Sequence, residues 1–172
     1  MVLEKGGLNR PLRVGVIGSG RSHRKWDVWA AAVGRGIAQA GAVLVCGGLS
    51  GVMAASARAA RAEGGLTIGI LPGDRADEAD PGIAVPIPTG LGEGRNLLVV
   101  RASDVLIAIG GGAGTLSEIG FTLKLHKPLV LLGSWRCEPP AESDPFPLPA
   151  VAETPEEAVR LALHLASRLS PE

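Results

Sequence analysis

Short apolar runs alternate with segments of helical period along almost the whole chain. The runs Arg13–Ile17, Val43–Cys46, Thr67–Leu71, Ile83–Ile87, Asp104–Ile109 and Pro128–Leu132 read as strands. They are nearly continuous in apolar residues, as expected for parallel strands covered on both faces; a half-exposed strand would alternate instead. Between them, Trp26, Ala30, Val33 and Ile37 recur at helical spacing and stop at Gly41, a residue suited to the turn past a helix end. Ser50 to Glu63 is an alanine-rich helix ending at Gly64-Gly65, and Gly92 to Ala102 is a shorter one. Leu116, Ile119 and Leu123 share one face of the next. Thr154-Pro155-Glu156-Glu157 opens a last helix: an N-cap threonine, proline at the first position and a glutamate placed to reach back.

The order βαβαβ–βαβ–α predicts a single-domain α/β fold, a Rossmann-like doubly wound parallel sheet with helices on both faces. Its expected extent is residues 13–172, behind a flexible N-terminal segment of residues 1–12. Right-handed crossovers place the strand C-terminal ends, and the loops after them, along one edge. Three glycine-rich loops then share that edge: Gly18-Ser19-Gly20, Gly47-Gly48-Leu49-Ser50-Gly51, and the loop of residues 110–115. Two stretches interrupt the pattern. Asp74 to Pro81 is an acidic, proline-ended loop, and Glu138 to Pro149, with Pro139, Pro140, Pro145, Pro147 and Pro149, is an extended surface connection or an oligomer arm. Trp135, Phe146 and Leu148 are apolar residues in or near it. They are expected to cover a neighbour or a subunit seam, giving a homodimer or homotetramer.

Composition narrows the function classes. Lys+Arg and Asp+Glu are 17 each, a balance that argues against a general binder of nucleic acid or of membrane surfaces. No apolar stretch is long enough to span a bilayer, and Met1 to Leu12 lacks the apolar centre of a signal peptide. Cys46 and Cys137 lie far apart without metal-type spacing; Cys46, in an apolar run, reads as a buried free thiol. A cytoplasmic protein without a metal site is the expectation. With only 3% aromatic residues the core must be built from Ala, Val, Leu and Ile.

The richest chemistry lies in Ile109-Gly110-Gly111-Gly112-Ala113-Gly114-Thr115-Leu116-Ser117-Glu118. A strand leads into it and a helix leads out. Glycines let the main chain approach a phosphate, and the new helix offers unpaired N–H donors and the positive end of its dipole. Gly111, Gly112, Gly114 and Thr115 are the expected cradle. Two readings of Glu118 stand side by side. In one, Thr115 caps the helix and Glu118 closes a capping box on it; in the other, Glu118 is a carboxylate available for acid–base work or for a ribose hydroxyl. Arg95 is placed to pair with phosphate and Asn96 to read a hydroxyl or a base; the alternative is a surface arginine paired with Glu93 or Asp104. Gly18, Ser19, Gly20 and Arg21, with Gly47 and Gly48, complete the candidate contacts. Arg21, His23, Arg24 and Lys25 cluster at a helix start, where the dipole disfavours cations unless an anion binds there. Gly18-Ser-Gly20-Arg-Ser-His23 lacks the third glycine of a dinucleotide fingerprint, and no acidic residue ends the second strand. No Lys-Ser/Thr pair follows the glycines as in a P-loop. His126 and His164 read as structural and exposed, respectively.

Gly47-Gly-Leu-Ser-Gly-Val-Met53, Gly94-Arg-Asn96 and Gly110-Gly-Gly-Ala-Gly-Thr-Leu-Ser-Glu118 together resemble the "lonely guy" (LOG)-like Rossmann superfamily, also labelled "possible lysine decarboxylase". The likeness runs from about Arg13 to Leu132 and is greatest to the molybdenum cofactor carrier protein-like branch, which has a triple glycine where the enzymes have Pro-Gly-Gly. The enzyme branch hydrolyses the N-glycosidic bond of cytokinin nucleoside 5′-monophosphates with the glutamate of PGGxGTxxE and an arginine followed by lysine. Glu118 matches that glutamate and Arg95 that arginine, while Asn96 replaces the lysine and Gly110 the proline. The resemblance thus implies a homo-oligomeric carrier of a pterin-phosphate cofactor, with molybdenum cofactor or a nucleotide as bound ligand and no cofactor for catalysis. The alternative it implies is a nucleoside 5′-monophosphate phosphoribohydrolase using Glu118 and Arg95; a nucleotide-sensing domain would use the same loops. Lysine decarboxylation finds no support, since Lys5, Lys25, Lys124 and Lys127 lie in no context for a pyridoxal Schiff base.

Overall fold

The computed structural model describes residues 10–138, 142 and 146–168. Seven strands form one sheet: β1 (Arg13–Gly18), β2 (Val43–Cys46), β3 (Thr67–Leu71), β4 (Val85–Pro88), β5 (Val105–Ile109), β6 (Leu129–Leu132) and β7 (Ala150–Ala152). Five helices connect or follow them: α1 (Arg24–Gln39), α2 (Val52–Ala62), α3 (Arg95–Ala102), α4 (Ala113–Lys124) and α5 (Pro155–Ala166). The strand order is β4-β3-β2-β1-β5-β6-β7, and every pairing is parallel. The chain winds outward from β1 to β4, then returns to lay β5 on the other side of β1. Loops after β1 and β5 therefore diverge in opposite directions and leave a crevice between them, the usual ligand position in open α/β sheets.

Alternate residues along each central strand feed two cores. Val14, Val16, Leu44, Ile107 and Leu132 pack beneath α1, α2 and α5, whereas Ile17, Val45, Leu106 and Leu131 pack against α3 and α4. Both faces are covered, which is why these strands read as unbroken apolar runs. The edge strand β4 departs from that expectation, with Val85 and Ile87 exposed. It also begins later than Ile83, because Ile83 closes a turn by donating its N–H to the Asp80 carbonyl. β7 is not legible in the sequence: three residues beyond a proline-rich stretch show no periodicity, and only register against Val130–Leu132 makes them a strand. Pro139, Pro140 and Pro145, residues 1–9 of the expected flexible segment and residues 169–172 lie outside the described residues. Among the described residues, no helix is long and apolar enough to cross a membrane.

Helix starts decide the chemistry. α5 begins as expected, with Thr154 Oγ1 accepting from the Glu157 N–H at 3.2 Å. Glu157 reaches back one residue further than the N-cap, to the Glu153 N–H at 2.9 Å. α4 does not begin with a capping box. It starts at Ala113 after Gly112, two residues before the expected cap, and no side chain caps it. Thr115 is thereby buried in the first turn, and Glu118 falls one turn too deep to reach a cap N–H, so it faces inward.

The far end of α3 is pinned by a cation. Lys127 Nζ donates to the carbonyls of Val100 and Arg101, each at 2.9 Å, and to that of Ser103. Those are the orphan carbonyls of a helix C-terminus, where positive charge is favoured. Asp104 anchors the next residue along, accepting from Arg10 at 2.8 Å and from the Arg13 side chain and N–H at 2.9 Å. Burial alone would raise the Asp104 carboxyl, but these hydrogen bonds outweigh it and hold it well below the ordinary carboxylate range. Replacing Lys127 by Met should uncap α3 and cost about 2 kcal/mol, seen calorimetrically as a fall in Tm of roughly 4–8 °C.

Candidate functional site

The crevice at the β1/β5 boundary is a cleft of about 150 Å³. Gly18 and Gly20 form one wall, Gly47 and Met53 a second, Arg95 and Asn96 a third, and Gly114, Thr115 and Glu118 the last. Four segments far apart in sequence thus meet at one sheet edge. The loop after β1 is tied to the start of α2, with Ser50 Oγ donating to the Gly20 carbonyl at 2.6 Å and the Val52 N–H to that of Ser19 at 3.0 Å.

Arg95 is the first residue of α3 and is only 8% exposed, so it is not a surface arginine. A Cβ at Gly47 would meet its guanidinium and Met53 Sδ, so the absence of a side chain there lets both lie close to the loop after β2. Nη1 donates to Asn96 Oδ1 at 3.1 Å and lies 4.0 Å from Glu118 Oε1; Nε is buried without a partner among the described residues. Burial lowers the Arg95 pKa while Glu118 opposes that shift, yet a guanidinium stays charged. A desolvated cation at a helix N-terminus, with one donor idle, is an unfavourable arrangement unless an anion completes it.

Glu118 is 6% exposed, and its separation from Arg95 is too long for a hydrogen bond. Burial pushes its pKa up to about 7, with Arg95 pulling the other way. Asn96 bridges two helices: its Nδ2 donates to Ser117 Oγ at 3.2 Å, and Ser117 Oγ donates to the Gly114 carbonyl at 2.6 Å. The glycine loop opens between these groups. Gly110 and Gly111 have φ of +54° and +109°, accessible to glycine, and their carbonyls are held by Ser134 Oγ at 2.5 Å and Trp135 Nε1 at 3.1 Å. Gly112 and Gly114 have no such constraint, and a Cβ on either would meet nothing within 4 Å. The main chain at the head of α4 is bare.

The other expected contacts lie outside the lining. Ser19 spends its hydroxyl on the Arg21 backbone, and Arg21 is exposed. Gly48 turns against Leu71 and Gly69, and Gly111 against the Thr115 side chain. Lys25 sits over the Trp26 and Trp29 rings at 4.9 and 4.5 Å, so packing accounts for one of the cations at the start of α1. His126 follows the end of α4 at φ +52°, a turn position. Cys46 is a buried free thiol whose pKa burial pushes up to about 12, so it stays protonated. Met53 is a lining residue the sequence did not single out for the site; its only signal is its place in the first turn after the second glycine loop.

Residues 11–159 match the SLOG cluster4 family. In structure the chain is similar to the molybdenum cofactor binding protein of Rippkaea orientalis, with a TM-score of 0.82 and 32% identity, covering 92% of this chain and 99% of that one. It is similar also to the molybdenum cofactor carrier protein of Chlamydomonas reinhardtii, with a TM-score of 0.80 and 34% identity, covering 92% and 100%. Over 115 residues, 62% of either chain, it is 36% identical to the cytokinin riboside 5′-monophosphate phosphoribohydrolase of Mycobacterium tuberculosis. The family match takes in all seven strands and every wall of the cleft, and on that ground the chain belongs to the SLOG cluster4 family of LOG-like proteins.

Proposed function

We propose that this protein binds and carries a phosphorylated heteroaromatic small molecule, with molybdenum cofactor the leading candidate. The observation that carries the reading is the buried Arg95 guanidinium, with its idle Nε, at the cleft that the uncapped start of α4 also lines. Phosphate is the group that fits: it accepts from a guanidinium and from the N–H groups of a helix start at once. Gly114 and Thr115 present main chain to it, and Gly47 keeps the opposite wall low. Likeness to a molybdenum cofactor binding protein and a molybdenum cofactor carrier protein over nine-tenths of the chain supports the choice of ligand. Exposed Trp135 and Leu148 favour a homo-oligomer, and the protein is read as cytoplasmic.

Glu118 favours a second reading, the nucleoside 5′-monophosphate phosphoribohydrolase. A carboxyl group with a pKa near 7 is matched to proton transfer at neutral pH, and it lines the same cleft as the phosphate anchor. There Arg95 would hold the phosphate, Glu118 would protonate or orient at the glycosidic bond, and water would attack an oxocarbenium-like ribose. The carrier reading is preferred because Asn96 and Gly110 stand where the enzyme motif has lysine and proline.

Two outcomes are expected. Gly114→Val should fold, since the position is open, but its methyl groups should obstruct the helix start and weaken AMP or inorganic phosphate binding at least tenfold, measured calorimetrically. Unchanged affinity removes the loop from the site. The native protein should copurify with a pterin, detected by mass spectrometry, and should release no adenine from AMP or base from a cytokinin monophosphate above background. Base release that drops about a hundredfold or more in Glu118→Gln would establish the hydrolase instead.

A further inference from the structure

The phosphate cradle leaves one buried group unexplained. Glu118 is 94% buried, lines the cleft, and has its nearest cation 4.0 Å away, beyond hydrogen-bond distance. α4 packs against α3, β1, β5 and β6. From α3 the facing charge is Arg95; Glu93 lies just before it, and Arg101 is at the other end, beside Lys127. β5 and β6 carry no ionisable side chain, and that of β1, Arg13, is committed to Asp104 at the opposite end of the strand. Cys46, at the end of β2, remains a neutral thiol. Among the described residues, Arg95 is therefore the cation of the cleft lining that Glu118 shares with anything that enters.

We propose that Glu118 takes up a proton as an anion enters the cleft and donates it in a hydrogen bond to that anion, so that phosphomonoester dianions bind together with one proton. The inference rests on the phosphate-binding reading above. A phosphate dianion that engages Arg95 takes away the counter-charge that faces Glu118 among the described residues and adds negative charge beside it. Two negative groups cannot both stay ionised around one guanidinium in a desolvated cleft, as paired carboxylates illustrate. Of the two, the carboxyl yields, because burial has already brought it to the edge of protonation. The proton comes from solvent, stays on Glu118, and converts a repelled acceptor into a donor facing a phosphate oxygen. No bond other than O–H is made or broken.

The test is calorimetric titration of the full chain with AMP and with inorganic phosphate at pH 8, repeated in buffers of different ionisation enthalpy. With Glu118 roughly nine-tenths ionised in the free protein at that pH, AMP binding should take up close to one proton per site. Above pH 7, where AMP is a dianion throughout, the fall in its affinity should approach about tenfold per pH unit, because the free protein must be protonated to bind. In Glu118→Gln the uptake should disappear and the affinity should become level from pH 7 to 9. AMP binding to the wild type without proton uptake, or uptake that survives in Glu118→Gln, overturns this inference and leaves the phosphate site standing. Failure of both probes to bind the wild type anywhere from pH 6 to 9 overturns the phosphate reading together with it.

Discussion

A buried guanidinium organises this site. Arg95 sits at the head of α3, where a cation is least welcome, and the fold keeps it there by shaping everything around it. Gly47, without a side chain, leaves room for the guanidinium close to the loop after β2. Asn96 turns its amide oxygen to Arg95 and its nitrogen to Ser117, which fixes α3 against the start of α4. Lys127 closes the other end of the same short helix. Eight residues of α3 are thus held at both ends by polar contacts, and a charge that is costly to bury stays in one place.

Sheet topology explains why an anion can repay that burial. Because β5 returns beside β1, the starts of α2, α3 and α4 come together at one edge, each without a side-chain cap. α5, which has no part in the cleft, is capped by Thr154, whereas α1, which does not line it either, has no side-chain cap. A side-chain cap satisfies the same N–H groups that a bound phosphate would, so a helix start that serves a ligand must be left bare.

Proteins similar to this chain include a molybdenum cofactor carrier and a phosphoribohydrolase, and the environment of Glu118 is compatible with either proposed use. A carboxyl group held near neutrality by burial and tempered by one arginine can keep a proton or release it. On the proposed carrier reading a kept proton makes it a hydrogen-bond donor to the anion; on the hydrolase reading the same proton would go to the leaving base, with Asn96 and Gly110 as the departures from the enzyme motif.

Much of this protein is legible in the chain itself. Unbroken apolar runs exist because the central strands are covered on both faces, and they determined the parallel α/β fold and the bounds of β2 and β3. The glycine loops marked the sheet edge that holds the cleft, because local backbone requirements are written in local residues. Tertiary structure alone decided the rest. Thr115 and Glu118 spell a capping box in sequence, yet α4 starts three residues earlier than such a box would set, with Gly112 as its N-cap, and turns Glu118 inward. β7 is three residues without a pattern of their own, made a strand by pairing with β6. Met53 reaches the cleft through the path of α2, and Arg95 is buried in a cleft whose walls, Gly47 among them, come from segments distant in sequence. Burial and pairing between segments far apart depend on where the chain meets itself, which residue type and spacing do not encode.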